Sequence, residues 1–332
     1  AGNSLPASVL SSDEGVALLA FGAEAGGAVC LLRSLRRYAK EPSPDLASAS
    51  ASIALGFLTM FNHREVRPLL HSGGEEGAWS KAIDYCAEHD LQAVLDEYLF
   101  QLTGGKLNPE NNPRKSPYEG LAQRIKDAVG LRTAQITARN PFTGKSFNMP
   151  SHLAARFAAN AAKDGEGGQT RLDTLREAFN SPFRPFVLAS TSVGQEGLDF
   201  HHYCHRLWHW NLPGSPADLE QREGRVQRYH NHAVRHNIAT CQAAAARETD
   251  GPAWPAMLAA AEDEVEDLGM SRLGMCPNSL YTGNLDAPAL IESILPLPPF
   301  SREAGLAPRL IKTTALYRLA FGQPRQSDLL AI

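Results

Sequence analysis

The order of apolar patterns in the middle of the chain is the feature that most restricts its fold. Leu131–Ala138 alternates apolar and polar residues, Thr170–Phe179 has the spacing of an amphipathic helix, and Phe186–Ser190 is a short apolar run. Arg206–Trp210 predicts a further strand. Strands that alternate with helices are typical of a parallel sheet with right-handed crossovers. We therefore expect an α/β fold here, with helices on both faces of a parallel sheet.

A helix start precedes the most charged motif of the chain. Ser215 is suited to the N-cap, Pro216 to the first helical position, and Asp218 to the acidic position of a capping box. The sequence QREGRVQR at 221–228 follows directly. We expect this motif to lie on the same helix.

Cationic side chains recur along this motif at helical spacing. Gln221, Arg225 and Arg228 stand at positions i, i+4 and i+7, and Arg222 lies beside them. Like charges on one face repel each other unless anions face them, and guanidinium groups match phosphate oxygens well. The motif therefore predicts either a phosphate-binding surface or a solvated charged helix.

A second polar motif, STSVGQEGLDF at 190–200, directly follows the apolar run. It would occupy the carboxyl end of a parallel strand, where such sheets place ligands. Glycines in this motif allow close backbone approach. Hydroxyl and carboxylate groups are also present, and the residues concerned are Thr191, Ser192, Gly194, Glu196, Gly197 and Asp199.

These segments together resemble a known family. ASTSVGQEGLDF, HWNLP and DLEQREGRVQR, in this order, resemble motifs V to VI of the second RecA-like lobe of superfamily 2 helicases and translocases. The resemblance extends more weakly over 131–239. AFNSPFRPFVL at 178–188 and FGQPRQSDLL at 321–330 are similar to a bacterial branch of large helicase-related proteins.

The resemblance implies a catalytic role for motif VI. Arg225 and Arg228 match the arginine fingers that reach the γ-phosphate of ATP held by the other lobe. Gln221 matches the leading polar residue of the motif. Removal of such a finger costs on the order of 10³–10⁵ in rate.

The resemblance also implies that motif V contacts the nucleotide and the nucleic acid. Arg222 is a further candidate for contact with the nucleotide. Gly197 and Asp199 match the Gly-x-Asp element near the ribose, and Arg222 is expected at the same nucleotide site. Thr191 matches the hydroxyl that touches a nucleic-acid phosphate, with Ser192 beside it.

ATP and Mg²⁺ are the implied cofactors, held mainly by an N-terminal RecA-like lobe. Thr143–Ser146 imitates the phosphate loop of that lobe, but Arg139 replaces its leading glycine and Pro141 lacks an amide hydrogen. We therefore expect a polar turn there, and we expect this chain to lack the first lobe. A stand-alone nucleotide hydrolase that uses this loop is the third and least favoured hypothesis.

A second imitation, AVLDE, resembles the acidic strand of the first lobe. Its surroundings, LQAVLDEYLFQL, have helical periodicity. We expect Asp96 and Glu97 to be solvated charges on a helix.

Three domains are predicted. Residues 1–128 form a helical module, 129–245 the RecA-like domain, and 246–332 a helical extension. Within the first domain, apolar spacing predicts helices over Val29–Tyr38, Ser52–Phe61 and Ala78–Gln101.

Histidines and tryptophans cluster near motif VI. Seven of the eleven histidines lie between His201 and His236. Zinc binding is the minor hypothesis, through some of His201, Cys204, His205 and His209, and no metal site is predicted.

Trp208 and Trp210 are expected in the core rather than as a platform for base stacking. The basic region His230, His232, Arg235 and His236 is expected either to meet phosphate or to form a solvated loop.

Net charge and cysteine content restrict the classes of protein and the cellular compartments that remain possible. The formal net charge of −4 argues against binding nucleic acid through bulk charge, although a local basic surface remains possible. Five scattered cysteines predict no disulfide framework and favour the cytoplasm. No basic residue precedes Arg33, and no clean apolar stretch of about 20 residues predicts a membrane span. The chain starts at Ala1, so we expect a fragment or a processed product.

The preferred functional hypothesis is therefore the second motor lobe of an ATP-dependent helicase or translocase. DNA is favoured over RNA only by the resemblance. The alternative is a non-catalytic scaffold that retains the helicase fold and binds nucleic acid or protein.

Overall fold

A computed structural model of the chain has two compact units and mixed α/β secondary structure. The units are Ala1–Arg156 with Asn160–Val187 and Thr249–Trp254, and Phe157–Ala159 with Leu188–Glu248 and Pro255–Ile332. The structure describes residues 27–38, 44–61, 88–105, 116–130, 134–139, 142–151, 174–183, 185–190, 199–269, 275–297 and 300–320. The division into three domains at 128 and 245 stays a prediction.

Four longer helices form most of the described part of the first unit. They are α1 (Gly27–Arg36), α2 (Pro44–Phe61), α3 (Leu91–Thr103) and α4 (Pro117–Val129). Helix α1 packs against α2 and α3, and α2 packs against α4. The helices predicted at 29–38 and 52–61 are confirmed. The one predicted at 78–101 is confirmed only from Leu91 onward, because residues 89–90 form a turn and Asp90 caps α3; residues 78–87 lie outside the described residues.

The core of these helices follows from apolar residues at helical spacing. Leu31 and Leu35 of α1, and Leu95 and Leu99 of α3, are four residues apart and almost completely buried. Ile53 of α2 is likewise inaccessible to solvent. The amphipathic pattern therefore predicts the packed face correctly.

Asp96 corrects one sequence expectation. AVLDE does lie on a helix, but Asp96 is 9% exposed and is not a solvated charge. Its Oδ2 pairs with Arg37 Nη1 at 2.5 Å, and its Oδ1 accepts a hydrogen bond from Gln92 Nε2 at 3.3 Å. Burial raises the pKa of Asp96, and these donors act in the opposite direction. The acid thus joins α3 to the turn that follows α1, while Glu97 is half-buried.

A β-hairpin corrects the expectation for the first strand. Strands β1 (Ala134–Arg139) and β2 (Ser146–Ser151) pair antiparallel, with Arg139 opposite Ser146. The predicted strand is present, but it does not open a parallel sheet. A short connection suits antiparallel pairing, because parallel strands need a crossover of about a dozen residues or more.

The hairpin loop contains the imitation of the phosphate loop. Residues 142–146 are exposed, and Gly144 has φ +69°, in the left-handed region that favours glycine. A phosphate loop leads from a strand into a helix N-terminus, whereas this segment leads into an antiparallel strand. The predicted polar turn is confirmed.

The apolar run at 186–190 is not a strand in the structure. It has no regular secondary structure, and Phe186 and Val187 are 76% and 85% exposed. An apolar run indicates a preference for burial, but a parallel strand also needs neighbouring strands, and none of the described strands pairs with this segment. The preceding helix is seen over residues 174–179 and ends, as expected, at Asn180-Ser181-Pro182.

The second unit contains a small parallel sheet. Strand β3 (Arg206–Trp208) pairs with β4 (Glu292–Ile294), and Leu207 lies opposite Ser293. The long connection between them carries helices α5 (Pro216–Glu223), α6 (His232–Cys241), α7 (Ala243–Glu248) and α8 (Ala253–Asp267). Helix α9 (Glu303–Ala320) follows β4. This pair is the only parallel pairing among the described strands, so the expected larger sheet is not seen in that part of the chain.

Asn237 of α6 anchors the segment that leads into β4. Its side chain is 1% exposed. Its Nδ2 donates to the carbonyl oxygens of Tyr281 and Ala289 at 2.7 and 3.0 Å, and its Oδ1 accepts from the amide of Ala289 at 2.7 Å. One amide side chain therefore satisfies three backbone groups of the 281–289 segment.

We expect Asn237→Ala to destabilise the protein by about 2–4 kcal/mol, because buried backbone groups lose their partners. The free energy of unfolding from urea titration measures the loss. Thr240→Ala is the matched control, since the hydroxyl of Thr240 bonds only to its own helix at His236 and the residue is exposed. Equal stability of the Asn237→Ala variant and the wild type would contradict the anchoring role.

Candidate functional site

Helix α5 begins as its sequence predicts. Ser215 Oγ accepts the amide hydrogen of Asp218 at 3.2 Å and donates to the Asp218 carboxylate at 2.9 Å. Pro216 occupies the first turn, where a missing amide hydrogen costs nothing. Such a cap stabilises a helix by about 1 kcal/mol.

The same helix ends earlier than the arginine spacing suggests. It stops at Glu223, and the amide of Gly224 donates to the carbonyl of Glu220 at 2.7 Å. The amides of Val226 and Gln227 then share the Glu223 carbonyl as acceptor, at 3.0 and 2.9 Å. Residues 224–228 therefore form a turn rather than a helix.

Because the helix ends at Glu223, the expected row of cationic side chains along a single helix is not present. Gln221 and Arg222 lie on α5, while Arg225 and Arg228 lie on the turn that follows it. Glycine has a low intrinsic preference for helix, and here its position matches the point where the helix stops. Helical spacing alone did not detect that stop.

The two arginines of the turn occupy different environments. Arg225 is half-buried, and its Nε is buried with no hydrogen-bond partner among the described atoms. Arg228 is exposed, and its Nη2 lies 3.1 Å from Asp199 Oδ1. Gln221 is exposed on α5.

Two contacts join the end of motif V to motif VI. The amide of Phe200 donates to the carbonyl of Arg225 at 3.0 Å, and Asp199 forms the ion pair with Arg228. Three further residues of the predicted site, Thr191, Ser192 and Gly197, lie outside the described residues. Of the motif V residues predicted to bind, the structure therefore places only Asp199, and it places it beside a predicted finger.

Arg222 has a defined partner of its own. Its Nη1 donates to the carbonyl of Asn211 at 2.7 Å, which ties α5 to the HWNLP segment. Its predicted contact with nucleotide stays a prediction.

Glu223 is a residue of this site that sequence reasoning did not assign. It is 7% exposed, and its carboxylate accepts hydrogen bonds from Arg318 Nη2 at 2.5 Å and Ser293 Oγ at 2.7 Å. His209 Nε2 lies 2.8 Å from the same Ser293 oxygen. Since the Ser293 proton goes to the carboxylate, His209 Nε2 must donate. The one signal in the sequence was that Glu223 is the only acidic residue in the arginine-rich motif QREGRVQR.

Arg235 itself fits neither expectation for the basic region after motif VI. It is completely buried on α6, so it neither meets phosphate nor belongs to a solvated loop. Its guanidinium donates to the carbonyls of His230 and His202, and it lies 5.4 Å from the centre of the Tyr203 ring. The residue therefore packs the 202–203 turn against α6.

Trp208 and Trp210 are not core residues. They are 64% and 82% exposed. The two-residue spacing predicted a common face but did not show which face is covered.

Among the described residues, no group of three His, Cys, Asp or Glu side chains is placed to hold a metal ion. Two of the residues considered as zinc ligands contact other groups instead. His209 bonds to Ser293, and Cys204 Sγ contacts the carbonyl of Arg206 at 3.6 Å. Burial raises the pKa of the Cys204 thiol, which disfavours the thiolate that zinc requires.

Comparison with known proteins finds a family model that the central segment resembles. Residues 158–230 match the family model described as Helicase conserved C-terminal domain. This span includes both polar motifs and the HWNLP segment between them, and it supports a helicase-type C-terminal lobe of RecA-like class. No curated protein and no solved structure matches the chain. No helix among the described residues is long and apolar enough to cross a membrane.

Several histidines of the second unit have pKa values below the ordinary value for histidine. Burial lowers the pKa values of His201, His205, His209 and His230. For His232, burial together with the positive charge of Arg235 lowers the pKa to about 4, from an ordinary value of 6.5.

We expect the protein to lose stability as the pH falls from 7 to 5. The unfolded chain protonates His232 below about pH 6.5 while the folded chain does not, so acid favours unfolding, by up to about 2 kcal/mol from this residue. Urea titrations at both pH values measure the effect, and His232→Gln should reduce the difference between them. The exposed His236 of the same helix provides the control variant, His236→Gln. An unchanged pH dependence in His232→Gln would contradict the account.

Proposed function

We propose that this chain contains the second motor lobe of an ATP-dependent nucleic-acid helicase or translocase of superfamily 2. In this proposal a first lobe, absent from the chain, carries the phosphate loop and the acidic motif. The observation that carries the proposal is the junction of the two motifs. Within the matched span, Phe200 bonds to Arg225 and Asp199 pairs with Arg228.

The chemistry of the arginines fits a phosphate ligand. Among the described residues, the buried Nε of Arg225 has no acceptor, and such a donor is costly unless an acceptor arrives. Arg228 holds Asp199 through a partly exposed ion pair, which contributes at most about 1 kcal/mol. Arg228 can therefore exchange the carboxylate for a phosphate oxygen at little cost.

In the proposed function, the site residues act on ATP bound between the two lobes. When bound between the lobes, ATP supplies a phosphoryl group whose transfer to water drives the motor. Arg225 and Arg228 neutralise the charge that develops on that group, and Gln221 links the nucleotide to nucleic acid or to motif V. Gly197 and Asp199 border the nucleotide site, together with Arg222. In this proposal Mg²⁺ is held mainly by the first lobe.

Nucleic acid completes the proposed assembly. Thr191 and Ser192 contact a backbone phosphate, and repeated closure of the two lobes moves this contact along the strand. DNA is proposed ahead of RNA because of the resemblance to bacterial helicase-related proteins, and a RecA-like sheet larger than β3–β4 forms part of the same proposal. We place the protein in the cytoplasm.

A non-catalytic scaffold is the second candidate, and one observation favours it. Large apolar side chains are exposed on the second unit, among them Trp208, Trp210 and Phe300. Exposed aromatic residues suit a surface that binds a protein or nucleic acid without hydrolysing ATP.

We expect Arg225→Ala to lower the kcat of nucleic-acid-stimulated ATP hydrolysis by at least about a thousandfold in the complete protein, which joins this chain to its first lobe. Arg225→Lys should retain part of the activity, because lysine keeps the charge but loses the planar fork. Arg247 is an exposed arginine on α7, so Arg247→Ala is the matched control. DNA and RNA are compared as activators in the same assay.

Two results would contradict the motor proposal. In the first, Arg225→Ala hydrolyses ATP as the wild type does. In the second, the complete protein binds nucleic acid but shows no stimulated hydrolysis, and this outcome supports the scaffold instead.

A further inference from the structure

The helix that follows β4 holds the end of the motif VI helix through a single arginine. Arg318 of α9 pairs with Glu220 through its Nε and with Glu223 through its Nη2, the latter at 2.5 Å. The arginine lies 95 residues after Glu223 in the chain. Its side chain is 27% exposed, and that of Glu223 is 9% exposed. The double contact is therefore largely shielded from solvent.

The same two glutamates support the turn that carries Arg225. The carbonyl of Glu220 accepts the amide of Gly224 at 2.7 Å. The carbonyl of Glu223 accepts hydrogen bonds from two consecutive amides of the turn, that of Val226 at 3.0 Å and that of Gln227 at 2.9 Å. Any displacement of these glutamates would therefore shift the backbone on which Arg225 sits.

Glu223 is also held from the sheet side. Ser293 of β4 donates to its Oε1 at 2.7 Å, and His209 donates to the Ser293 oxygen at 2.8 Å. Arg318 occupies the other carboxylate oxygen. Only arginine offers several donors in one rigid plane for two carboxylates at once, whereas lysine is a single point charge.

We propose that Arg318 is a positioning residue for Arg225, so that α9 sets the geometry of the motif VI turn. This inference rests on the proposed function, since it concerns how the finger is placed. A finger acts on the charge of the transition state, and misplacement by about 1 Å can cost on the order of a hundredfold in rate. Loss of Arg318 therefore lowers turnover, while ground-state binding of ATP and nucleic acid is retained.

The test uses the complete protein and compares Arg318→Ala with Arg318→Lys. In Arg318→Ala, kcat of stimulated ATP hydrolysis should fall about ten- to a hundredfold, while KM for ATP and the half-saturating nucleic-acid concentration change by less than about twofold. Arg318→Lys should recover part of kcat, because lysine can pair with one carboxylate at a time. If the alanine variant does not fold, the lysine variant decides the question, with an expected loss of about three- to tenfold in kcat.

Two control variants separate positioning from general damage to α9. Arg309 is an exposed arginine of the same helix, so Arg309→Ala should leave kcat unchanged. Leu310 is 7% exposed, and Leu310→Ala removes packing without touching the glutamates, so it should lower the melting temperature but retain kcat below that temperature.

The outcomes distinguish this inference from the proposed function. If Arg225→Ala abolishes hydrolysis but Arg318→Ala and Arg318→Lys keep a normal kcat, the positioning role is wrong and the motor proposal stands. If Leu310→Ala lowers kcat as much as Arg318→Ala does, the effect of Arg318 is only structural. If Arg225→Ala has no effect on hydrolysis, the motor proposal fails and this inference fails with it.

Discussion

A buried carboxylate is the constraint on which the second unit depends. Removing a charge from water costs several kcal/mol unless well-placed partners compensate. Glu223 obtains that compensation from Arg318 and Ser293, which belong to α9 and β4. The motif VI helix can therefore reach its observed position only when a strand and a helix from much later in the chain are also in place. The site is thus a product of the whole unit and not of the 158–230 segment alone.

The two contacts between the motifs differ in strength, and the difference fits the proposed motor function. The backbone bond from Phe200 to Arg225 is fixed by the fold of both segments. The pair between Asp199 and Arg228 is about half exposed on each side, so it contributes little to stability and can be broken readily. Arg225 is thus held through its backbone, whereas in the proposed function Arg228 exchanges Asp199 for a phosphate oxygen.

The sequence predicts local structure here better than it predicts partners. The cap at Ser215 and the turn at 143–146 follow from short-range backbone chemistry, and both are confirmed. The strand expected at 186–190 and the cationic face of the 221–228 motif are not observed. Strand formation depends on distant pairing, and the helix end depends on a glycine whose effect is small beside the periodicity of its neighbours.

Burial of single polar and aromatic residues was equally hard to predict. Asp96 and Arg235 are buried because Arg37 and backbone carbonyls from other segments satisfy them. Trp208 is exposed although its strand is paired. For Asp96 and Arg235, a contact with a residue distant in the chain, Arg37 or His202, contributes to the burial, and no local pattern records it.

The most direct test of the central claim compares two nucleotide analogues bound to the complete protein in the presence of nucleic acid. ADP with aluminium fluoride imitates the transition state of phosphoryl transfer, and a non-hydrolysable ATP analogue imitates the ground state. The account predicts that Arg225→Ala weakens binding of the first by about a hundredfold or more and leaves binding of the second nearly unchanged. Equal affinities of the wild type and the variant for both analogues would contradict it.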